Sequence, residues 1–158
     1  PNAPACSRAH EIGSGQGAGY LCGRDVARFL SLVDHSRRIA SCLHADTLDE
    51  LTGILCSPPL TATRQSFGRV GLVLFMHVGG SAGRTRRRVA TFYEADGRGG
   101  HELLFEWRAE TDTFSQAGPL RDPNGLVAYV DFIQQLVDAG EVDARAVRRR
   151  VVEHWRRT

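Results

Sequence analysis

Apolar positions recur along this chain at two periods, and the changes of period divide it into elements. Val26, Phe29, Leu30 and Val33 fall three and four residues apart, which predicts an amphipathic helix over Asp25 to Asp34 with Arg24 and Arg28 on its other face. Ile39 to Leu43 reads as a short buried strand that stops at the polar turn His44-Ala45-Asp46. Leu48, Leu51, Ile54 and Leu55 return to helical spacing over Thr47 to Leu55. Asp46 or Thr47 can serve as N-cap there, with Asp49 and Glu50 in the first turn, where the helix dipole favours acids. Pro58 and Pro59 end that helix by Ser57. Thr61 to Phe67 suits a short helix. Val70 to Val78 is apolar with little polar alternation, the pattern of a strand covered on both faces. Arg86 to Tyr93, Leu103 to Arg108 and Thr113 to Ser115 alternate between glycine-bearing or polar turns and predict an antiparallel meander. After a linker from Pro119 to Asn124, Leu126, Val130, Ile133 and Val137 form one stripe of a helix from Gly125 to Ala139, with Tyr129, Phe132 and Leu136 beside it. Gly140 ends this helix. Asp143 caps a last one reaching Trp155, with Val147, Val151, Val152 and Trp155 inward, and the two make a helical hairpin.

Composition adds limits to this picture. The 158 residues suffice for a sizeable core, and 42% hydrophobic with 24% charged residues is the balance of an ordinary globular protein. The net charge of +2 is too small for field alone to imply a nucleic-acid or membrane partner. All 20 basic residues are arginine. The cysteines Cys6, Cys22, Cys42 and Cys56 form no C-x-x-C, so a metal site is not expected; two lie in apolar segments and read as buried thiols. Nothing demands an oxidising compartment, and no run approaches the ~20 apolar residues of a membrane helix. The expected location is therefore cytoplasmic, peripheral to the inner face of the membrane only through partners. Pro1 to Gly19 is small, polar and glycine-rich, and is expected to be flexible; His10 and Glu11 within it read as solvated tail rather than a metal site. A chain that starts at Pro1 is expected to be a processed product or a piece of a longer one.

The candidate chemistry centres on His44. A histidine at the carboxyl end of a strand, just before a helix, stands where open α/β sheets bind ligands. Arginines such as Arg86, Arg87, Arg88, Arg148, Arg149 and Arg150 could bind phosphate, or serve as solvated faces. A nucleic-acid site would want them interleaved with stacking aromatics, and Phe92, Tyr93, Trp107 and Trp155 are better used in the core.

Five stretches, in order, resemble the ATPases of type II and type IV secretion systems, including those of archaeal pili and flagella. Ser41-Cys42-Leu43-His44-Ala45-Asp46-Thr47 is similar to the family's histidine box, in which a strand ends near the nucleotide γ-phosphate. Gly23 to Leu30 resembles the segment after the Walker B strand, and Ser57-Pro58-Pro59-Leu60 the P-P-L that follows the next helix. Val70 to Val78 with Arg86-Arg87-Arg88-Val89 resembles a late core strand and an R-R-V strand. Phe105-Glu106-Trp107 with Thr111-Asp112-Thr113-Phe114 resembles the closing F-x-W…x-D-T-F hairpin. The resemblance covers about Gly19 to Thr158.

It implies an α/β fold: the second half of a RecA-like sheet, an antiparallel meander and a C-terminal helical hairpin. The expected divisions are a flexible segment over 1–19, a RecA-like portion over 20–118 and the hairpin over 119–158. The resemblance also implies that His44 contacts the γ-phosphate and that Asp46 orients its ring or caps the helix. Arg24, Arg38 and Arg64 are candidate phosphate contacts of the kind that reach a neighbouring subunit's nucleotide. ATP and Mg²⁺ would be the cofactors, held only with a longer chain or a partner subunit. Secretion or pilus components would be the partners of a homo- or hetero-oligomer.

The departures are as specific. There is no G-x-x-x-x-G-K-[ST] and no lysine at all, so the Walker A cradle lacks the group that reaches the β/γ-phosphates. Gly13-Ser14-Gly15-Gln16-Gly17-Ala18-Gly19 has glycines without that lysine. Counting back from His44, Tyr20 stands where the family's Walker B glutamate would be and Cys22 where its arginine would be. The chain is therefore expected to be inactive by itself. The alternatives are a non-catalytic, ATPase-like regulatory or partner-binding module, and a nucleic-acid-binding domain.

Overall fold

The computed structural model describes residues 5–13, 19–34, 37–81 and 84–156. It is mixed α/β and divides into two compact units, Pro1–Pro119 and Leu120–Thr158.

The first unit opens with parallel pairing. Strand β1 (Ala5–Arg8) runs parallel to β4 (Arg37–Ala40), in register from Ala5 opposite Arg37 to Arg8 opposite Ala40. Strand β2 (Glu11–Ile12) runs parallel to β3 (Tyr20–Leu21). Residues 5–13 thus lie between two neighbours, and the gaps are closed by Ala9 N–H donating to the Ala40 carbonyl (3.1 Å) and His10 N–H to the Gly19 carbonyl (2.7 Å). This corrects the expectation of a flexible segment over the described part of residues 1–19; residues 14–18 of its glycine run lie outside those described. The reason is burial: Ala9 and Ile12 are 7% exposed and anchor the strand to the core.

Three helices cover these strands. Helix α1 (Arg24–Leu30) buries Val26, Phe29 and Leu30 as their spacing requires, but ends at Leu30, short of Asp34. Helix α2 (Leu48–Cys56) starts at the Thr47 cap, whose hydroxyl accepts from Glu50 N–H (3.1 Å), while the Glu50 carboxylate accepts from Asp46 N–H (2.8 Å). Two otherwise orphaned donors are satisfied reciprocally, in the manner of a capping box. Helix α3 (Arg64–Phe67) is a single turn capped by Thr63.

The rest of the unit is an antiparallel sheet in the order β5 (Leu72–Ser81), β6 (Arg84–Ala95), β7 (His101–Arg108), β8 (Thr113–Gln116). Val73 joins Ile12, Val26, Leu30, Leu55, Leu60, Ala62 and Phe67 in one core. The expectation that Val70 to Val78 is covered on both faces is wrong. β5 is an edge strand, and Leu72, Leu74, Met76 and Val78, which alternate with Val73 and Phe75, are 59, 47, 61 and 62% exposed. An antiparallel sheet needs only one covered face, so an apolar run does not prove two. The strand expected at Ile39 to Leu43 is also displaced: regular pairing ends at Ala40, and Ser41 to Ala45 continue as irregular chain.

The second unit is a helical hairpin, α4 (Pro123–Asp138) and α5 (Ala144–Trp155). Asp122 caps α4, with Pro123 at its first position, where a missing N–H costs nothing. Asp143 caps α5 through Ala146 N–H (2.8 Å). Phe132 stacks on His154 (4.3 Å between centroids), and Tyr129 meets His154 and Trp155 edge-on or tilted.

Candidate functional site

The local chain around His44 is shaped by bonds to the neighbouring parallel strand. Ile12 N–H donates to the Cys42 carbonyl (2.8 Å), and the Cys42 thiol donates to the His10 carbonyl (2.9 Å). These two bonds extend the alignment beyond the end of β4 and carry His44 to the level of Glu11. The result is a pair at the carboxyl ends of adjacent parallel segments: His44 Nε2 lies 3.5 Å from Glu11 Oε1. The His44 side chain is 96% exposed and the Glu11 side chain 24%. A half-sheltered carboxylate thus holds one nitrogen of an imidazole whose remaining edge is open to solvent. Such a ring can offer its second nitrogen to an anion when protonated, or take a proton when neutral.

Glu11 is the residue that sequence reasoning missed, because it lay in a segment read as solvated tail. The available signal was Ile12, a lone large apolar residue beside it. Asp46 does not orient the ring: its N–H donates to the Glu50 carboxylate, and the cap of α2 is Thr47. Tyr20, in the position expected for a general-base glutamate, stands in β3 with its ring edge-on to His10 at 5.5 Å. The nearest carboxylate to His44 therefore comes from the adjoining strand.

The three candidate arginines do not converge there. Arg24 is exposed at the start of α1. Arg38 spends an Nη1–H on the Asp34 carbonyl (2.7 Å). Arg64 lines a separate cleft of about 210 Å³ together with Asp49, Thr52, Phe67, Gly100 and His101. The cleft exists because the turn after β6 rests on the end of α3: a Cβ on Gly68 would lie 2.5 Å from the Gly99 Cα. His101 is fixed in it by its Nε2 at 2.8 Å from the Val70 carbonyl and by its ring against Phe67 (4.7 Å). Asp96 ties the turn by accepting from the N–H groups of Arg98 (2.6 Å) and Gly100 (2.9 Å), which hold its carboxyl below the usual carboxylate range.

Arg88 is withdrawn from any phosphate role. Its Nε and Nη2 donate to the two oxygens of Asp112 at 2.8 and 2.7 Å, and Trp107 Nε1–H donates to the same carboxylate at 2.9 Å. Arg86 lies 3.9 Å from it. The Arg88 bond, then that of Trp107, holds the Asp112 carboxyl far below the ordinary range. Asp112 sits at φ 54°, a left-handed conformation that Asp tolerates better than most residues. The group locks the turn between β7 and β8.

Cys6, Cys22 and Cys42 are exposed and Cys56 is half-buried, so the expectation of two buried thiols fails. Cys42 follows the end of regular pairing, where the outward face of the chain has no cover among the described residues. Among the described residues, no group of three or more His, Cys, Asp or Glu could hold a metal ion, and no helix is long and apolar enough to cross a membrane.

No lysine accompanies the His44–Glu11 pair, because the chain contains none. No protein-family model matches the chain, and no curated protein is significantly similar to it.

Proposed function

We propose that the chain is the distal portion of a motor ATPase domain of the secretion and pilus-assembly kind, built on part of a RecA-like sheet. His44 and Glu11 form one wall of its triphosphate site. The observation that carries this reading is their 3.5 Å pairing at the carboxyl ends of adjacent parallel segments, the place where α/β sheets hold ligands. The ordered motifs from Gly23 to Phe114 support it.

In this reading His44 donates to a terminal phosphate oxygen. Glu11, 3.5 Å from Nε2, keeps the imidazole oriented. Mg²⁺, bound with ATP, would offset phosphate charge, and the lysine would come from a longer chain or a partner subunit. The partners are then components of a secretion or pilus machine, and the work is done in an oligomer at the cytoplasmic side of a membrane.

A second reading has its own support. The absence of any lysine, with Tyr20 in place of the expected glutamate, favours an ATPase-like module that regulates or completes an active partner without turning over ATP itself.

Phosphate release separates these readings. The chain alone should stay at background. Co-assembled with a lysine-bearing motor subunit, it should support turnover that His44→Ala reduces by about two to three orders of magnitude, roughly the cost of losing one donor to a developing oxyanion. Co-assembly with turnover indifferent to His44→Ala would leave the regulatory reading. Turnover by the chain alone that His44→Ala abolishes would overturn the claim that the site is incomplete.

A further inference from the structure

Strand β5 is paired with β6 along its whole length, from Leu72 opposite Glu94 to Ser81 opposite Arg84, and with no strand on its other side among the described residues. Its outer edge is a row of backbone N–H and C=O groups, and what satisfies such a row is another extended chain. Sheet edges are ordinarily guarded by charge, by proline or by shortness. The edge at β8 is short, four residues. The edge at β5 has none of these guards: it is ten residues long and contains no proline and no Lys, Arg, Asp or Glu.

We propose that β5 pairs antiparallel with β5 of a second copy of this chain, joining two four-stranded sheets into one of eight strands. Three features select a copy of itself. The first is register. Opposite residues of an antiparallel pair both turn their backbone groups toward the partner or both turn them away, so only alternate registers are open to two identical strands. The irregularity between β5 and β6 places its extra residue, Ala90, on β6, so the alternation along β5 is unbroken. With Phe75 on the two-fold axis, Leu72 of one copy faces Val78 of the other, and Leu74 faces Met76. All four exposed apolar residues of the strand then meet one another on one face of the joined sheet. An axis at Met76 would set Leu72 against Gly80, and one at Leu74 would carry Val78 past the end of the partner strand. The second feature is charge. An uncharged strand meets its own copy without repulsion, whereas a strand such as β6, with Arg84, Arg86, Arg87, Arg88 and Glu94, would bring charges beside the apolar row. The third is closure. Two-fold pairing uses both β5 edges and stops, leaving only the short β8 edges. Pairing β5 with β8 of the next copy would repeat without end and leave most of β5 unpaired. Two copies bring together on the order of 900 Å² of exposed side chain from these four residues, before the backbone edges are counted, against the ~1,200 Å² at which stable interfaces begin. Neither His44 nor Glu11 belongs to this edge, so the pairing and the triphosphate reading stand or fall separately.

The test is light scattering after size exclusion on the full chain. The wild type should run at twice 17.3 kDa. Leu74→Lys and Met76→Glu alter exposed side chains, so each should keep the wild-type circular dichroism. Each should weaken the dimer by about tenfold, because the altered contact occurs twice across the two-fold axis. Mixed in equal amounts, the two variants should recover the dimer: the new charges face each other at one Leu74–Met76 contact, and the other contact is native. Amide hydrogen exchange on the wild type needs no variant. Exchange within Leu72 to Val78 should slow as the protein concentration rises, while exchange in β8 stays constant. A wild type that is monomeric at high micromolar concentration would overturn the proposal, and so would one that forms filaments. A dimer indifferent to both β5 variants, or broken by Phe114→Lys in β8 or Ile133→Glu in α4, would place the interface elsewhere and overturn it too. So would folded variants that do not restore each other, or β5 exchange that is independent of concentration.

Discussion

Gly68 gives the sharpest handle on how the first unit is assembled. It sits at the end of α3 with φ −61° and ψ −9°, a conformation open to any residue. By backbone entropy alone, Gly68→Ala should stabilise the protein by about 0.4–1 kcal/mol, because the unfolded chain loses freedom. The packing opposes this. A Cβ there would meet the Cα, C and O atoms of Gly99 at 2.5, 2.7 and 2.8 Å, and all three are backbone atoms that no side-chain rotation can remove. Overpacking of this kind costs about 1–3 kcal/mol, so the net expectation is a loss of roughly 1–2 kcal/mol. Gly53 is the internal control. It lies in the interior of α2, and a Cβ there would meet nothing within 4 Å. Gly53→Ala should therefore raise stability by about 0.5–1 kcal/mol. Urea unfolding followed by Trp107 fluorescence, in a Trp155→Phe background that leaves one tryptophan, reads both changes in the first unit. Gly68→Ala at or above wild-type stability would refute the close contact of the turn after β6 with α3, and with it the cleft that holds Arg64 and His101.

Other consequences follow from the same geometry. Thr47→Ala should cost about 1 kcal/mol by freeing Glu50 N–H at the start of α2, readable in the same unfolding assay. Asp96 and Asp112 have folded pKa values below their unfolded ones, so their stabilisation is complete above about pH 4 and is lost as pH falls through the lower folded values. Acid unfolding of Asp112→Asn should accordingly depend less on pH below about pH 4 than that of the wild type. An unchanged acid limb in the variant would contradict the lock formed by Arg88, Trp107 and Asp112.

Much of this architecture could be read from residue order. Helices α2, α4 and α5 follow from apolar spacing joined to a capping residue, and the antiparallel meander follows from strands separated by turn-forming residues. Periodicity was weakest where tertiary pairing decides the outcome. The strands β1, β2 and β3 are two to four residues long, too short to show a period, and what fixes them is the pairing of β2 with β3 and of residues 5–12 with residues 37–42, which no local pattern reveals. The apolar run in β5 was legible as a strand, but not as an edge strand, since exposure depends on what lies beside it. His44 was legible from its place between strand and helix. Its partner was not, because Glu11 is distant in the chain and reaches the ring only through parallel register.

The claim that His44 and Glu11 form one wall of a triphosphate site is tested most directly by nuclear magnetic resonance of the histidine rings during titration with Mg-ATP. The account predicts that the His44 ring signal moves saturably, that Glu11→Gln weakens this response, and that the His101 and His154 signals stay in place. A His44 signal unmoved up to millimolar nucleotide, or one that moves equally with inorganic sulfate, would contradict it.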